Sequence, residues 1–170
     1  MKHVLFIDTR NVTRSQIAEA WFNHIAGEWA HADSCGTMPA HAVDPRARQV
    51  MLEVGLDIRS HSPKFVNQQM LAQAGIVVLM GKDVQPHVFK PDHVWDLKDP
   101  AGESLDAVRV LRDEIWTRVL ELIAEIRMSE LDSITTIRQW ETLMLCLAET
   151  PSAEREHIES DRTEANAELF

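Results

Sequence analysis

The chain has 170 residues, 45% of them hydrophobic, with a formal net charge of −10. That is enough apolar material for one domain and an appendage, and the acidic balance argues against a nucleic acid or an anionic membrane held by general electrostatics, because both would repel the chain as a whole, while leaving room for a local basic site. The two cysteines, Cys35 and Cys146, form no Cys-x-x-Cys pair, which excludes a zinc ribbon and a disulfide framework and leaves two ordinary buried thiols.

The first element is Val4-Leu5-Phe6-Ile7, a short apolar run of the kind that forms a strand buried on both sheet faces. No charged leader precedes it and no apolar stretch approaches about 18 residues, so a cytoplasmic protein without a membrane partner is expected. The strand runs into the polar segment Asp8-Thr9-Arg10-Asn11-Val12-Thr13-Arg14-Ser15. A helix then starts at Ser15, with Ile17, Ala20, Trp21, His24 and Ile25 at helical spacing and Gly27 as its stop. Strand, tight polar loop and helix in that order aim backbone N–H groups and the positive helix end at one spot, which makes an anion cradle for a phosphate-like oxyanion. Arg14 adds a bidentate clamp.

A second strand is expected between about Trp29 and Ser34. Asp44-Pro45 opens a second helix, Asp as cap and Pro in the first turn, running through Val50, Met51 and Val54 to Gly55. Ser62-Pro63 begins a short helical stretch to about Ala74. Ile76 to Met80, ended by Gly81, is a central strand, and a short one is expected around His93 to Trp95. From Leu105 the apolar positions Val108, Leu111, Ile115, Val119, Leu122 and Ile126 describe an amphipathic helix that covers the sheet. Alternating strands and helices predict a three-layer α/β sandwich with a parallel sheet of about four strands. Ligands then gather at the carboxyl ends of the strands, where Asp8 and Asp99 are placed.

Past about Met128, the residues Leu131, Ile134, Ile137, Trp140, Met144 and Leu147 repeat the helical spacing. A second amphipathic helix is expected there, giving either extra packing on the same domain or, through residues 130–148, a homodimer or protein-partner surface. The expected division is 1–127 for the α/β domain, 128–150 for this helix and 151–170 for a solvated acidic tail.

The segment Asp8 to Ser15 resembles the loop of the low-molecular-weight protein tyrosine phosphatases and their arsenate reductase relatives, roughly Cys-Thr-Gly-Asn-Ser-Cys-Arg-Ser. Thr9, Asn11, Arg14 and Ser15 match it; Asp8, Arg10, Val12 and Thr13 depart from it, and Asp8 stands where the resemblance places the catalytic cysteine. The likeness continues through Ala18-Glu19-Ala20-Trp21-Phe22, Ser34-Cys35-Gly36-Thr37 and Gly55-Leu56-Asp57-Ile58-Arg59-Ser60-His61. It ends on Trp95-Asp96-Leu97-Lys98-Asp99-Pro100-Ala101-Gly102, which is similar to the family's acid loop, covering roughly residues 3 to 127 in all. The resemblance implies that Asp99 is the general acid. It also implies that thioredoxin-coupled arsenate reduction needs further cysteines after Met80, and residues 80–90 contain none.

A carboxylate at position 8 changes the chemistry. It is a poorer nucleophile than a thiolate, and its charge opposes an incoming anion by about 4 kcal/mol for unit charges about 4 Å apart at an effective dielectric near 20. Asp8 is therefore expected to fill the cradle itself, accept the loop N–H groups and pair with Arg14. Arg10 is either a surface arginine or a second positive group over the site. Asn11 and Ser15 are expected to hold the loop by side-chain hydrogen bonds. Asp99 suits an Asp-Pro-Ala-Gly turn as well as an acid, and Trp95 suits either the site wall or simple packing.

An apolar strand ending in Asp also begins the haloacid dehalogenase-like phosphatases, but Arg10 stands where those carry a second Asp. His87, His93 and Asp92 are the closest histidine cluster and match no ligand spacing, so neither a metal nor a cofactor is expected. The reading that results is a catalytically impaired relative of the phosphatase and arsenate reductase family. It would serve as a regulatory, scaffold or oxyanion-sensing module with phosphate or arsenate-like ligands. The competing reading is an active phosphomonoesterase with Asp8 as nucleophile and Asp99 as acid.

Overall fold

The computed structural model describes residues 2–82, 84 and 89–138 and the helical backbone over 139–149. Its centre is β1 (Lys2–Asp8), in which Val4, Leu5, Phe6 and Ile7 are wholly buried. Successive side chains of a strand point to opposite faces, and here each face has its own core. Leu5 and Ile7 join Cys35, Val77, Leu79 and Val84, with Met70 and Leu71 packed against them. Phe6 meets Phe22 at 6.1 Å and Trp95 at 5.6 Å between ring centroids. Two buried faces explain why β1 is uniformly apolar rather than alternating. Phe6→Ala would cost about 3–5 kcal/mol.

From β1 the chain passes through the loop to α1 (Arg14–Ala26), then β2 (Ala30–Gly36), α2 (Pro45–Glu53), α3 (Gln68–Gln73), β3 (Ile76–Leu79), β4 (His93–Val94) and α4 (Leu105–Glu149). The four strands form one parallel sheet in the order β2-β1-β3-β4. Gly27, at φ 57°, ends α1 with its N–H on the Asn23 carbonyl. Asn23 also closes the edge of β2, its side chain donating to the Ala32 carbonyl at 2.9 Å and accepting from the Ala32 N–H at 2.7 Å. An edge strand otherwise exposes such groups. Trp21 of α1 meets Trp116 of α4 edge to face at 4.4 Å.

The predicted helix opening on Asp44-Pro45 is present, with the Asp44 side chain accepting the Arg46 N–H at 2.8 Å. The helix expected from Ser62-Pro63 is shorter and begins only at Gln68, capped by Asn67. Residues 64–66 are instead recruited to the end of β2: the Gly36 N–H donates to the Lys64 carbonyl and the Val66 N–H to the Gly36 carbonyl. This tertiary pairing overrides the local helical signal.

The helix expected to end near Ile126 and the one expected from Met128 are a single α4, for no Gly or Pro interrupts residues 105–149. Two compact units divide the chain, Met1–Ala124 and Glu125–Phe170. Within the second, Met128, Leu131, Ile134 and Ile137 are exposed. The tail after Pro151, the side chains of Trp140, Met144, Cys146 and Leu147, and His87 lie outside the described residues. No described helix is long and apolar enough to cross a membrane.

Candidate anion loop

The loop between β1 and α1 is held from outside by the segment after β2. The carbonyls of Asp8, Thr9, Arg10 and Val12 accept the N–H groups of Thr37, Met38, Ala40 and Asp44, at 2.7–3.1 Å. With those carbonyls committed, the loop's amides are what it can offer an anion.

Asp8 takes that offer. Its carboxylate is 3% exposed. Oδ1 accepts the Asn11 N–H in a very short hydrogen bond, and Oδ2 accepts the Ser15 N–H at 3.1 Å and the Ser15 hydroxyl at 2.8 Å. Burial pushes the carboxyl above its ordinary value. The hydrogen bonds from Ser15 and Asn11 and the positive charge of Arg14 act against that shift without cancelling it.

Asn11 organises the loop from within. It sits in the left-handed region at φ 53°, where Asn is among the better-tolerated residues. Its Nδ2 donates to the hydroxyls of Ser15 at 2.8 Å and Ser34 at 2.9 Å, and its Oδ1 accepts the Lys64 N–H at 2.7 Å. Ser34 in turn donates to Glu19, and the Lys64 ammonium lies 3.8 Å from Glu19 and 2.7 Å from Asp33. Gly36 completes the fit. A Cβ there would come within 2.8 Å of the Thr9 carbonyl oxygen and 3.1 Å of Asn11.

Arg14 is buried at the start of α1 and donates to the Leu97 carbonyl at 3.0 Å, which ties the loop to the segment before Asp99. Asp99 accepts the Ala101 N–H at 3.0 Å, the contact of a turn, and stands 3.7 Å from Arg10 in an ion pair with both side chains nearly half exposed. Arg10 is therefore the rim of the loop. Thr13 reaches Asp44 at 3.5 Å, and Val12 lines a neighbouring cleft of about 470 Å³ together with Arg10, Asp44, Arg46 and Arg48. Trp95 is 7% exposed and packs on Phe6.

Cys35 lies one residue before Gly36 on β2. Burial first, and then the nearby Asp8 charge, push its thiol up to about 12, which leaves it protonated and a poor nucleophile at neutral pH.

The structure thus brings together Asp8, Asn11 and Ser15 and joins Arg10 to Asp99. Sequence reasoning missed Ser34, Glu19 and Lys64 as loop supports, and Asp44, Arg46 and Arg48 as the cleft wall. Glu19 and Ser34 lie in segments that carry the resemblance and Asp44 in the Asp44-Pro45 cap, but no local signal gave their contacts, which depend on tertiary pairing.

A family model described as low molecular weight phosphotyrosine protein phosphatase matches residues 3–132. An arsenate reductase of Staphylococcus epidermidis is 37% identical over 124 residues, 69% of this chain and 93% of that protein. Among solved structures, an arsenate reductase in a phosphate-binding state superposes with a TM-score of 0.66 at 31% identity, over 74% of this chain and 99% of the other. A low molecular weight protein tyrosine phosphatase from T. tengcongensis gives a TM-score of 0.66 at 25% identity over the same shares.

Proposed function

The chain belongs to the low molecular weight phosphotyrosine protein phosphatase family, and from that membership we propose that it is a catalytically impaired relative acting in the cytoplasm as a regulatory, scaffold or oxyanion-sensing module. One observation carries this reading: the Asp8 carboxylate lies on the loop's own N–H groups, with Asn11 and Ser15 as its donors. An anion entering the loop meets that charge and finds those two amides taken. Phosphate or an arsenate-like oxyanion remains the ligand class that the loop suits, and the similar arsenate reductase solved in its phosphate-binding state supports that class.

Arsenate reduction by this chain is disfavoured by its thiols. Residues 80–90 have no cysteine, and Cys35 is buried with its thiol held protonated. For the scaffold role, residues 130–148 supply the surface for a protein partner or a second copy. Leu131, Ile134 and Ile137 are exposed along that stretch, which supports the assignment.

The deciding experiment is hydrolysis of a generic aryl phosphate by the wild-type protein beside Asp8→Asn, with and without magnesium. No turnover by either protein is expected. One contact favours a second reading, an active phosphomonoesterase with Asp8 as nucleophile and Asp99 as general acid: the Arg10 to Asp99 ion pair holds Asp99 against the loop's rim. Wild-type turnover that disappears in Asp8→Asn would establish that reading and overturn the first.

A further inference from the structure

A second constellation of polar side chains lies near the amino ends of β1 and β2, five residues before Asp8 along β1. At about 3.3 Å per residue that is roughly 16 Å from the anion loop. His3 and His31 are directly opposed in the parallel register of β1 and β2, and Asp33, two residues past His31, points to the same face of β2. The two imidazoles are stacked, 5.7 Å between centroids and 8° between planes. His3 Nε2 lies 3.1 Å and His31 Nε2 4.0 Å from Asp33 Oδ2. One ligand atom from each of the three falls within 4.8 Å of the others.

Donors about 2.0–2.1 Å from a tetrahedral Zn²⁺ stand roughly 3.3 Å from one another. The two distances to Asp33 bracket that separation. Two imidazole nitrogens and one carboxylate oxygen suit Zn²⁺, Co²⁺, Ni²⁺ or Cu²⁺ over Ca²⁺ or Mg²⁺, which prefer all-oxygen shells. The side chains are part-exposed, His3 least and His31 most, so an ion enters from solvent and keeps water in its remaining positions. We propose that His3, His31 and Asp33 form a binding site for a divalent transition-metal cation.

The surroundings also give the site its own competitor. The Lys64 ammonium lies 2.7 Å from Asp33 Oδ1, on the oxygen that the histidines do not face. It orients the carboxylate so that Oδ2 meets the imidazoles, yet its charge opposes a dication. Metal and Lys64 therefore share Asp33 unequally, and removal of the ammonium favours the metal.

The test is calorimetric titration of Zn²⁺ into the tag-free, full-length protein, with His3→Ala, His31→Ala and Lys64→Met beside it and folding of each variant checked by circular dichroism. The expected result is one saturable equivalent for wild type, weakened at least about tenfold by either histidine substitution and tightened by Lys64→Met. His31 is half exposed, so its substitution spares the core. Absence of saturable binding to wild type, or binding equally tight in wild type and in folded His31→Ala, would overturn the proposal.

Discussion

Ser15 gives Asp8 two hydrogen bonds on one oxygen: its N–H reaches Oδ2 at 3.1 Å and its hydroxyl reaches the same atom at 2.8 Å. The same hydroxyl oxygen accepts from Asn11 Nδ2, so one side chain joins the carboxylate to the residue that shapes the loop. Ser15→Ala keeps the N–H bond but removes the hydroxyl's two contacts, with Asp8 Oδ2 and with Asn11 Nδ2, from a buried site. Hydrogen bonds to charged groups are worth about 1.5–3 kcal/mol, and a loss in that range is expected. Urea unfolding checks it, as a lower midpoint with an unchanged slope.

Gly36 is required by close approach. A methyl there would sit 2.8 Å from the Thr9 carbonyl oxygen, a backbone atom that cannot swing aside. Gly36→Ala is expected to displace the loop and to cost about 1–3 kcal/mol, the range for overpacking. Thermal melts read the cost, and amide hydrogen exchange at Asn11 and Ser15 reads the displacement.

Asp8 gives the protein a pH dependence of definite sign. Burial raises its folded-state pKa above the unfolded value of 3.8. Between those two values the folded chain holds a proton that the unfolded chain has lost, so this group's contribution to stability is full below the unfolded pKa and is lost as pH rises through the folded one. Asp8→Asn removes the titration. Wild type is therefore expected to gain stability relative to Asp8→Asn as pH falls from neutral toward acid. Paired thermal melts across that range check the sign, and a relative loss for wild type would contradict it.

Much of this was legible in the sequence where the signal was local. The uniform apolar run of β1, the Asp44-Pro45 cap and the polar loop before α1 each carry their cause within a few residues. The placement of residues 64–66 beside Gly36 was not legible, because its cause is the free end of β2 rather than anything in Ser62-Pro63. Lys64 is a support of the loop for the same reason: its N–H reaches Asn11 only once that pairing has formed. The meeting of His3, His31 and Asp33 depends on the register of β1 against β2. Among histidines, spacing within the chain drew attention to His87 and His93 instead.

Asp8 itself was readable as an anomaly, an acid where the resemblance places a cysteine. Its hydrogen bonds from Asn11 and Ser15 needed the folded loop. The expected link between Asp8 and Arg14 takes the form of a charge acting on the carboxyl, while the Arg14 guanidinium also bonds the Leu97 carbonyl.

The most direct measurement is calorimetric titration of inorganic phosphate into wild type and Asp8→Ala at neutral pH. The truncation frees the Asn11 and Ser15 amides and removes the opposing charge. If Asp8 occupies the cradle, Asp8→Ala binds phosphate at least about tenfold more tightly, a difference of about 1.4 kcal/mol or more. Wild type binding phosphate as tightly as Asp8→Ala, or more tightly, would contradict the account.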